Sequence, residues 1–281
     1  MKKLLLATVF GLTAFSAQAQ ETNAYPAAAR TYADITNPFY IPEKSVMADT
    51  NVSVSRVKMN ASIAAPAQTG TPFLKNVHKY TATETLTYGI TGTWAVYGTY
   101  NYDWMKKDGN ASFDAKSWTI GTKVNTIEDA WRVQIGADVT RTDFTKWKNV
   151  INPDQKDTHL YIMAGTETGE KIFAYTRFDY HNVDYGNDLQ YNAYSIDAAM
   201  HISADSQTTA DLGLRFMWDT MDRVRNRDMT FFADGYMSLY QNVALGMKFD
   251  YVLASENSIK WAFAPSNQGS YGFGVNLKYE F

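Results

Sequence analysis

The sequence offers few side chains that could act as nucleophiles or transition-metal ligands. It contains no Cys and four His, at positions 78, 159, 181 and 201. Without Cys, a disulfide framework, a thiolate zinc site, an iron–sulfur cluster and a cysteine nucleophile are excluded. The His residues are scattered, without the His-Glu-x-x-His spacing of a zinc enzyme. The sequence therefore predicts neither a metal site nor another cofactor.

The best arrangement for hydrolysis involves His181, because Asp179 lies two residues before it on the same face of an extended segment. Such a pair could activate water, and His159 is expected near the same rim. Neither His181 nor His159 begins a His-x-Ser pattern. The sequence therefore favours a protein that is not an enzyme, and a rim-site hydrolase is the less favoured alternative.

A second set of chemically active residues is a series of charges that alternate in sign along five successive segments. Asp234 and Lys248 lie at equal distances from the short connection 240–242, so a hairpin there places them directly opposite each other. The members of the series are Arg177, Asp197, Arg215, Asp234 and Lys248.

A similar hairpin at 203–207 predicts that Arg215 lies opposite Ser195 and diagonal to Asp197. Two interpretations of the charge series are open. It could form a constriction whose transverse field orients a dipolar or charged solute. Alternatively, it could be a ladder of salt bridges that only neutralises and stiffens a wall.

The segments that carry these charges are predicted to be antiparallel strands. From Thr50 onward, apolar and polar residues alternate with period two, interrupted by turn residues. Every second residue is apolar in Val243–Leu253 and in Tyr271–Phe281. The pattern predicts twelve strands, near residues 50–59, 80–90, 94–104, 117–125, 131–140, 159–166, 172–181, 190–202, 208–218, 229–239, 243–253 and 270–281.

The connections between these strands alternate between short and long, which is typical of an antiparallel barrel that spans a membrane. A soluble barrel is the alternative, but twelve strands enclose more space than apolar side chains can fill. Trp residues also fall at both ends of the apolar face, as two lipid interfaces would select: Trp94 and Trp131 at the short turns, and Trp104, Trp118 and Trp218 at the long loops. We therefore predict an all-β fold, a transmembrane antiparallel β-barrel.

Two positions conflict with this pattern. The alternation of the first strand changes parity near Arg56, which suggests a bulge. Glu84 shares parity with Leu86 and Tyr88, which would place a carboxylate against lipid. We expect a bulge there, or a higher start of the strand.

The N-terminal residues do not alternate. Lys2 and Lys3 precede an apolar stretch, Leu4–Phe15, and Ala17-Gln18-Ala19 has the small residues of a cleavage site, so residues 1–19 are predicted to be a signal peptide. Residues 20–49 then contain Pro38, Phe39, Tyr40 and Pro42, a rigid aromatic group that could fold into the barrel as a plug. A strap beneath the barrel mouth and a disordered leader are the alternatives.

The signal peptide, the twelve alternating segments at 50–281 and the terminal Tyr279-Glu280-Phe281 resemble those of Gram-negative outer-membrane β-barrel proteins. The resemblance implies short periplasmic turns, longer extracellular loops and contact with outer-membrane lipid and lipopolysaccharide. It also implies insertion by the barrel-assembly machinery, which would read Leu277, Tyr279 and Phe281 as the assembly signal.

The sequence therefore predicts a porin-like channel in the outer membrane for passive diffusion of small hydrophilic solutes, in monomeric form. The net charge of −3 argues against a nucleic-acid partner. A structural barrel or adhesin is the alternative, because the loop 141–158 combines Trp147 with Arg141, Lys146 and Lys148 and could bind acidic surface ligands.

Overall fold

The computed structural model shows a closed barrel of twelve antiparallel strands. Each strand pairs with the next along the chain, and the last pairs with the first. The predicted all-β barrel and its strand number are therefore confirmed. The structure describes residues 34–58, 60–61, 76–107, 112–128, 131–144, 154–169, 171–184, 190–205, 207–220, 224–259, 265–266 and 268–281. The predicted signal peptide, residues 1–19, lies outside this part of the chain.

Most of the strands are longer than the sequence pattern predicted, mainly toward the long loops. Their bounds are β1 (Val46–Lys58), β2 (Asn76–Thr91), β3 (Trp94–Lys107), β4 (Ser112–Glu128), β5 (Trp131–Phe144), β6 (Asp154–Gly169), β7 (Ile172–Asp184), β8 (Gln190–Ser203), β9 (Thr208–Thr220), β10 (Val224–Tyr240), β11 (Val243–Ile259) and β12 (Tyr271–Glu280).

The barrel is closed by antiparallel pairing of β1 with β12, from Met47–Glu280 to Arg56–Tyr271. Beyond the long-loop end of this junction, Asn60–Ala61 forms a second small sheet with Pro265–Ser266. The first and last long loops are therefore joined by backbone pairing.

A short 3₁₀ helix, Asp34–Thr36, precedes the barrel. Within the described part of the chain, no helix is long and apolar enough to cross a membrane.

Side chains alternate between the two faces of the wall because successive residues of a strand point in opposite directions. Large apolar side chains face outward, as Trp118 and Ile120 show with 62 % and 77 % exposure. Trp94 and Trp131 are also exposed, at the short-turn ends of β3 and β5. The inner face is mainly polar. This is the polarity of a barrel whose outer surface contacts lipid.

The first strand contains no bulge at Arg56, contrary to the prediction. The backbone of β1 pairs without interruption with β2 from Val46 to Lys58, and Arg56 stays on the outward face shared by Val52 and Val54. Arg56 lies near the long-loop end, where a long side chain can extend its charge toward the membrane interface.

Glu84 also lies in an unbroken register, opposite Thr50 and Tyr100, so the bulge expected near it is absent. The irregularity of β2 is at Gly89 and Thr91 instead. Glu84 shares the outward parity of the exposed Leu86, and its carboxylate accepts a hydrogen bond from the Thr50 hydroxyl. A neighbouring hydroxyl, rather than a displaced backbone, accommodates the carboxylate.

The turn between β8 and β9 differs from the prediction by two positions of register. Asp205 Oδ1 accepts hydrogen bonds of 2.7 Å from the backbone N–H groups of Gln207 and Thr208. These two bonds lower the pKa of the Asp205 carboxyl. The side chain thereby moves the turn one residue toward the C-terminus, and the last pair is Ser203 with Thr209.

Candidate functional site in the barrel lumen

The lumen encloses a polar cavity of about 660 Å³. Side chains from ten strands, β2 to β11, line it. Five of them are the residues of the predicted charge series, and Pro38 of the N-terminal segment also contributes. The structure therefore brings Arg177, Asp197, Arg215, Asp234 and Lys248 together around one space.

The closest ion pair of the series joins Arg215 and Asp197 directly across β8 and β9. Arg215 donates from Nε and Nη2 to the two carboxylate oxygens, at 2.8 and 2.7 Å. The prediction that Ser195 lies opposite Arg215 is therefore wrong, because the Asp205 turn shifts the register by two. The shift keeps both side chains on the inner face, since side chains repeat every two residues.

Arg177 also lies opposite Asp197, across β7 and β8, but it pairs within its own strand. Its Nη2 is 2.7 Å from Asp179 Oδ1, and its guanidinium stacks 4.2 Å from the centre of the Tyr161 ring. The predicted series of alternating charges is therefore divided into separate ion pairs, in one of which Arg177 binds Asp179.

The third pair is Asp234 with Lys248, which face each other across β10 and β11 as the short turn predicts. Their charged atoms are 3.8 Å apart, and about a third of the Lys248 side chain is exposed to the lumen. This is a looser contact than the one between Arg215 and Asp197.

Aromatic rings lie flat against the inner wall because glycines of neighbouring strands leave room for them. A Cβ at Gly136 would lie 2.2 Å from the Tyr161 ring, and a Cβ at Gly213 would lie 2.5 Å from the Phe232 ring. Only glycine permits this approach. Because these rings lie against the wall, they do not project across the cavity.

The N-terminal segment lies inside the short-turn end of the barrel. Phe39 is 2 % exposed and packs edge-on against Phe173, with ring centroids 5.2 Å apart. Asn125 Nδ2 donates to the backbone oxygen of Phe39 at 2.5 Å, and the Thr36 and Thr209 hydroxyls are 2.9 Å apart. Residues 34–45 therefore make apolar and polar contacts with the inner wall.

The end of this segment is held by Glu280, the last residue of β12. Its carboxylate accepts hydrogen bonds from Tyr40 and Ser45, both at 2.5 Å. Lys44 N donates to the carbonyl oxygen of Gly89 at 2.9 Å. The segment is thus tied to both neighbours of β1.

Sequence reasoning missed a cluster on the lumen wall that is formed by His159, His181, Asp157 and Asp179. His181 Nδ1 pairs with Asp157 at 2.9 Å, whereas Asp179 bonds to His159 and Arg177. The predicted rim pair of His181 with Asp179 is therefore wrong. A bulge between Glu167 and Gly169 decides which residues face each other, and the sequence pattern does not reveal that bulge.

The structure describes one of the residues proposed for surface binding. Arg141 lies in β5 and is exposed, while Trp147, Lys146 and Lys148 lie outside the described residues. Leu277 and Tyr279 of β12 and the following Phe281 share the outward parity of Phe273, and the rings of Tyr279 and Phe281 stack 5.6 Å apart.

The same architecture occurs in solved outer-membrane proteins. The chain is similar to the COG4313 outer membrane channel from Pseudomonas putida F1, with a TM-score of 0.60 and 14 % identity over 92 % of this chain and 100 % of that one. The chain has the fold of an outer-membrane β-barrel protein. The NanC porin is also similar, with a TM-score of 0.52 and 9 % identity over 82 % of this chain and 98 % of that chain. No protein-family model matches the sequence, and no curated protein is similar to it.

Proposed function

We propose that this barrel is a narrow outer-membrane channel for passive diffusion of small hydrophilic solutes. The observation that carries the proposal is the polar cavity of about 660 Å³ inside a closed wall, lined by charged pairs. A barrel that served only as a structural anchor would gain more stability from apolar contacts inside it than from such ion pairs.

The charged pairs support passage of polar solutes because their cations are exposed to the lumen. Arg215, Arg177 and Lys248 keep a third to nearly half of their side chains exposed to the lumen, so their charges can contact a solute. Their partners Asp197 and Asp179 are almost fully covered. A solute would therefore meet cations in front of anions, which orients a dipolar or anionic molecule.

Residues 34–45 would act in this channel as a constriction at the short-turn end. The burial of Phe39 and the bonds of Asn125 and Glu280 support this role. Because the polar contacts are few and close to the turn, the segment could leave the barrel without unfolding it.

Single-channel conductance of the refolded chain in a planar bilayer tests the proposal. The full chain is compared with a deletion of residues 20–43, which stops before Ser45 and β1 so that the Ser45–Glu280 bond and the closing strand remain. Stable conductance steps in either form are expected, with larger steps after the deletion. A folded barrel that conducts in neither form overturns the proposal and favours a surface-binding role for the loops.

The setting of the channel follows from the same proposal. We infer an outer-membrane location, in contact with lipid and lipopolysaccharide, after insertion by the barrel-assembly machinery. Leu277, Tyr279 and Phe281 would present the aromatic assembly signal, and the functional unit would be a monomer without catalytic activity.

A further inference from the structure

The lumen wall contains a pair of stacked imidazoles that the proposed channel function does not use. His159 and His181 lie opposite each other on β6 and β7. Their rings are 4.1 Å apart between centroids and nearly parallel, at 3°. Because a bound ion lies in the plane of each imidazole that holds it, binding of one ion by both rings would turn the half-buried His181 ring out of this stack.

A carboxylate orients each ring through one nitrogen. His159 Nδ1 is 2.8 Å from Asp138 Oδ2, and His181 Nδ1 is 2.9 Å from Asp157 Oδ2. A proton held at Nδ1 by a carboxylate leaves the lone pair at Nε2, which is how most metal-binding histidines are oriented in proteins. His181 is therefore set up to offer Nε2 to an ion, whereas His159 Nε2 faces Asp179 Oδ1 at 2.7 Å and would exchange that hydrogen bond for the ion.

A third ligand completes the group. Asp179 Oδ1 is 2.7 Å from His159 Nε2. Ligand atoms of His159, Asp179 and His181 all lie within 4.8 Å of one another. His159 and Asp179 are buried and His181 is half-buried at the edge of the cavity, which leaves an approach from the lumen.

Arg177 shares Asp179 with this group. It donates to Asp179 Oδ1, whereas Asp179 Oδ2 receives only a longer bond, of 3.3 Å, from Ser195. An ion can therefore take the less occupied oxygen, and Arg177 can keep its own bond. Asp179 would then bind both the ion and Arg177.

The local charge also fits a divalent ion. Asp138, Asp157 and Asp179 carry three negative charges around the two rings, and Arg177 supplies one permanent positive charge. With both imidazoles neutral, a divalent cation brings the sum to zero. The ion would bind His159 at Nε2 and Asp179 at Oδ2, in place of the hydrogen bond between His159 Nε2 and Asp179 Oδ1.

We propose that His159, His181 and Asp179 form a transition-metal site in the barrel lumen, with Asp138 and Asp157 as positioning residues. Two imidazole nitrogens and one carboxylate favour Zn²⁺ and similar ions over Mg²⁺ and Ca²⁺, which prefer oxygen ligands. An ion there would place two positive charges on the wall beside Arg177.

Calorimetric titration of the tag-free, refolded full chain with ZnCl₂ tests the site. One Zn²⁺ per chain is expected, with no comparable binding of Mg²⁺ or Ca²⁺ and with weaker binding at lower pH. His159→Gln and His181→Gln should each weaken Zn²⁺ affinity by about 100-fold or more, and Asp138→Asn by about 10- to 100-fold. His78→Gln, which changes an imidazole on β2, is the matched control and should bind like the parent chain.

The heat-dependent gel migration of folded barrels shows whether each variant folds, and the three substitutions keep the test informative if one variant does not. The proposal is overturned if no saturable binding occurs up to about 1 mM Zn²⁺, or if folded His159→Gln or His181→Gln binds as tightly as His78→Gln. Equal binding of Mg²⁺ also overturns it, because that would indicate exposed carboxylates. The titration requires no conductance, so its outcome is separate from that of the channel proposal.

Discussion

Gly89 lies directly against Pro42: a Cβ at Gly89 would be 1.3 Å from the carbonyl oxygen of Pro42. This contact joins β2 to the N-terminal segment and is reinforced by hydrogen bonds between Gly89 and the backbone of Lys44 and Ser45. Because the obstructing atom belongs to the backbone, a side chain at Gly89 can be accommodated only if the segment moves.

Gly89→Ala is therefore expected to release residues 34–45 from the lumen while the barrel stays folded. Chymotrypsin should then cleave after Phe39 at least about tenfold faster, because cleavage follows the population of the open form. Gly92→Ala is the control, since a Cβ there meets Glu43 at an ordinary 3.7 Å. Equal cleavage of the two variants in vesicles would show that the Gly89 contact does not hold the segment.

Ion selectivity should depend on the Asp234–Lys248 pair. Asp234→Asn leaves Lys248 without its partner and should shift the reversal potential in a KCl gradient toward anions, whereas Lys248→Met should shift it toward cations. The double variant removes both charges and should return close to the parent value. Reversal potentials that move in the same direction for both single variants would contradict this electrostatic account.

Arg215→Met is expected to lower the free energy of unfolding. Asp197, whose side chain is 7 % exposed, loses two charge-assisted bonds, but Arg215 is 46 % exposed and partly solvated. We expect a loss of about 1–2 kcal/mol after allowing for that solvent exposure, measured by urea unfolding in lipid vesicles. The free energy of unfolding of Arg215→Lys should lie between those of the parent and Arg215→Met, because lysine keeps the charge but cannot donate two parallel hydrogen bonds to the carboxylate. A variant within about 0.5 kcal/mol of the parent would show that the pair contributes nothing measurable.

Gly136→Ala should push the Tyr161 ring off the wall and into the cavity. The ring carbons nearest to the added Cβ would be 2.2 and 2.4 Å away. We expect a destabilisation of about 1–3 kcal/mol and a smaller conductance. Gly235→Ala meets no atom within 4 Å and serves as the control. The flat packing of Tyr161 would be unimportant if both variants unfolded at the same urea concentration.

Glu84→Gln is expected to stabilise the barrel in vesicles by about 1 kcal/mol, because it removes a carboxylate from the lipid face while keeping the contact with Thr50. Glu43→Gln, in the turn before β1, should have little effect. A loss of stability in Glu84→Gln would mean that the charged form makes a favourable contact on the outer surface.

The sequence was sufficient for all twelve strands and, apart from the parity change wrongly expected near Arg56, for the direction of their side chains. Period-two alternation is strong in segments such as Val243–Leu253 because lipid and lumen impose opposite polarity on the two faces. The Asp234–Lys248 pair could also be placed, since the connection 240–242 is short. A small register shift beside this connection, between Ser238 and Tyr240, does not alter the pairing of Asp234 with Lys248.

Register across the other turns could not be predicted in the same way. The Asp205 side chain moves one turn by one residue, and the bulge at Glu167 brings His159 opposite His181. Neither effect leaves a periodic signal. The contacts of Phe39 could not be predicted either, because a segment without alternation does not show which strands it will contact.

The junction of β1 and β12 is fastened at both ends. At the short turns, Glu280 binds Tyr40 and Ser45, and at the long loops Asn60–Ala61 pairs with Pro265–Ser266. The seam between the first and last strands is thus reinforced by additional contacts at both of its ends. In the channel that we propose, a solute would therefore travel along the long axis of the barrel rather than sideways through this seam into the lipid.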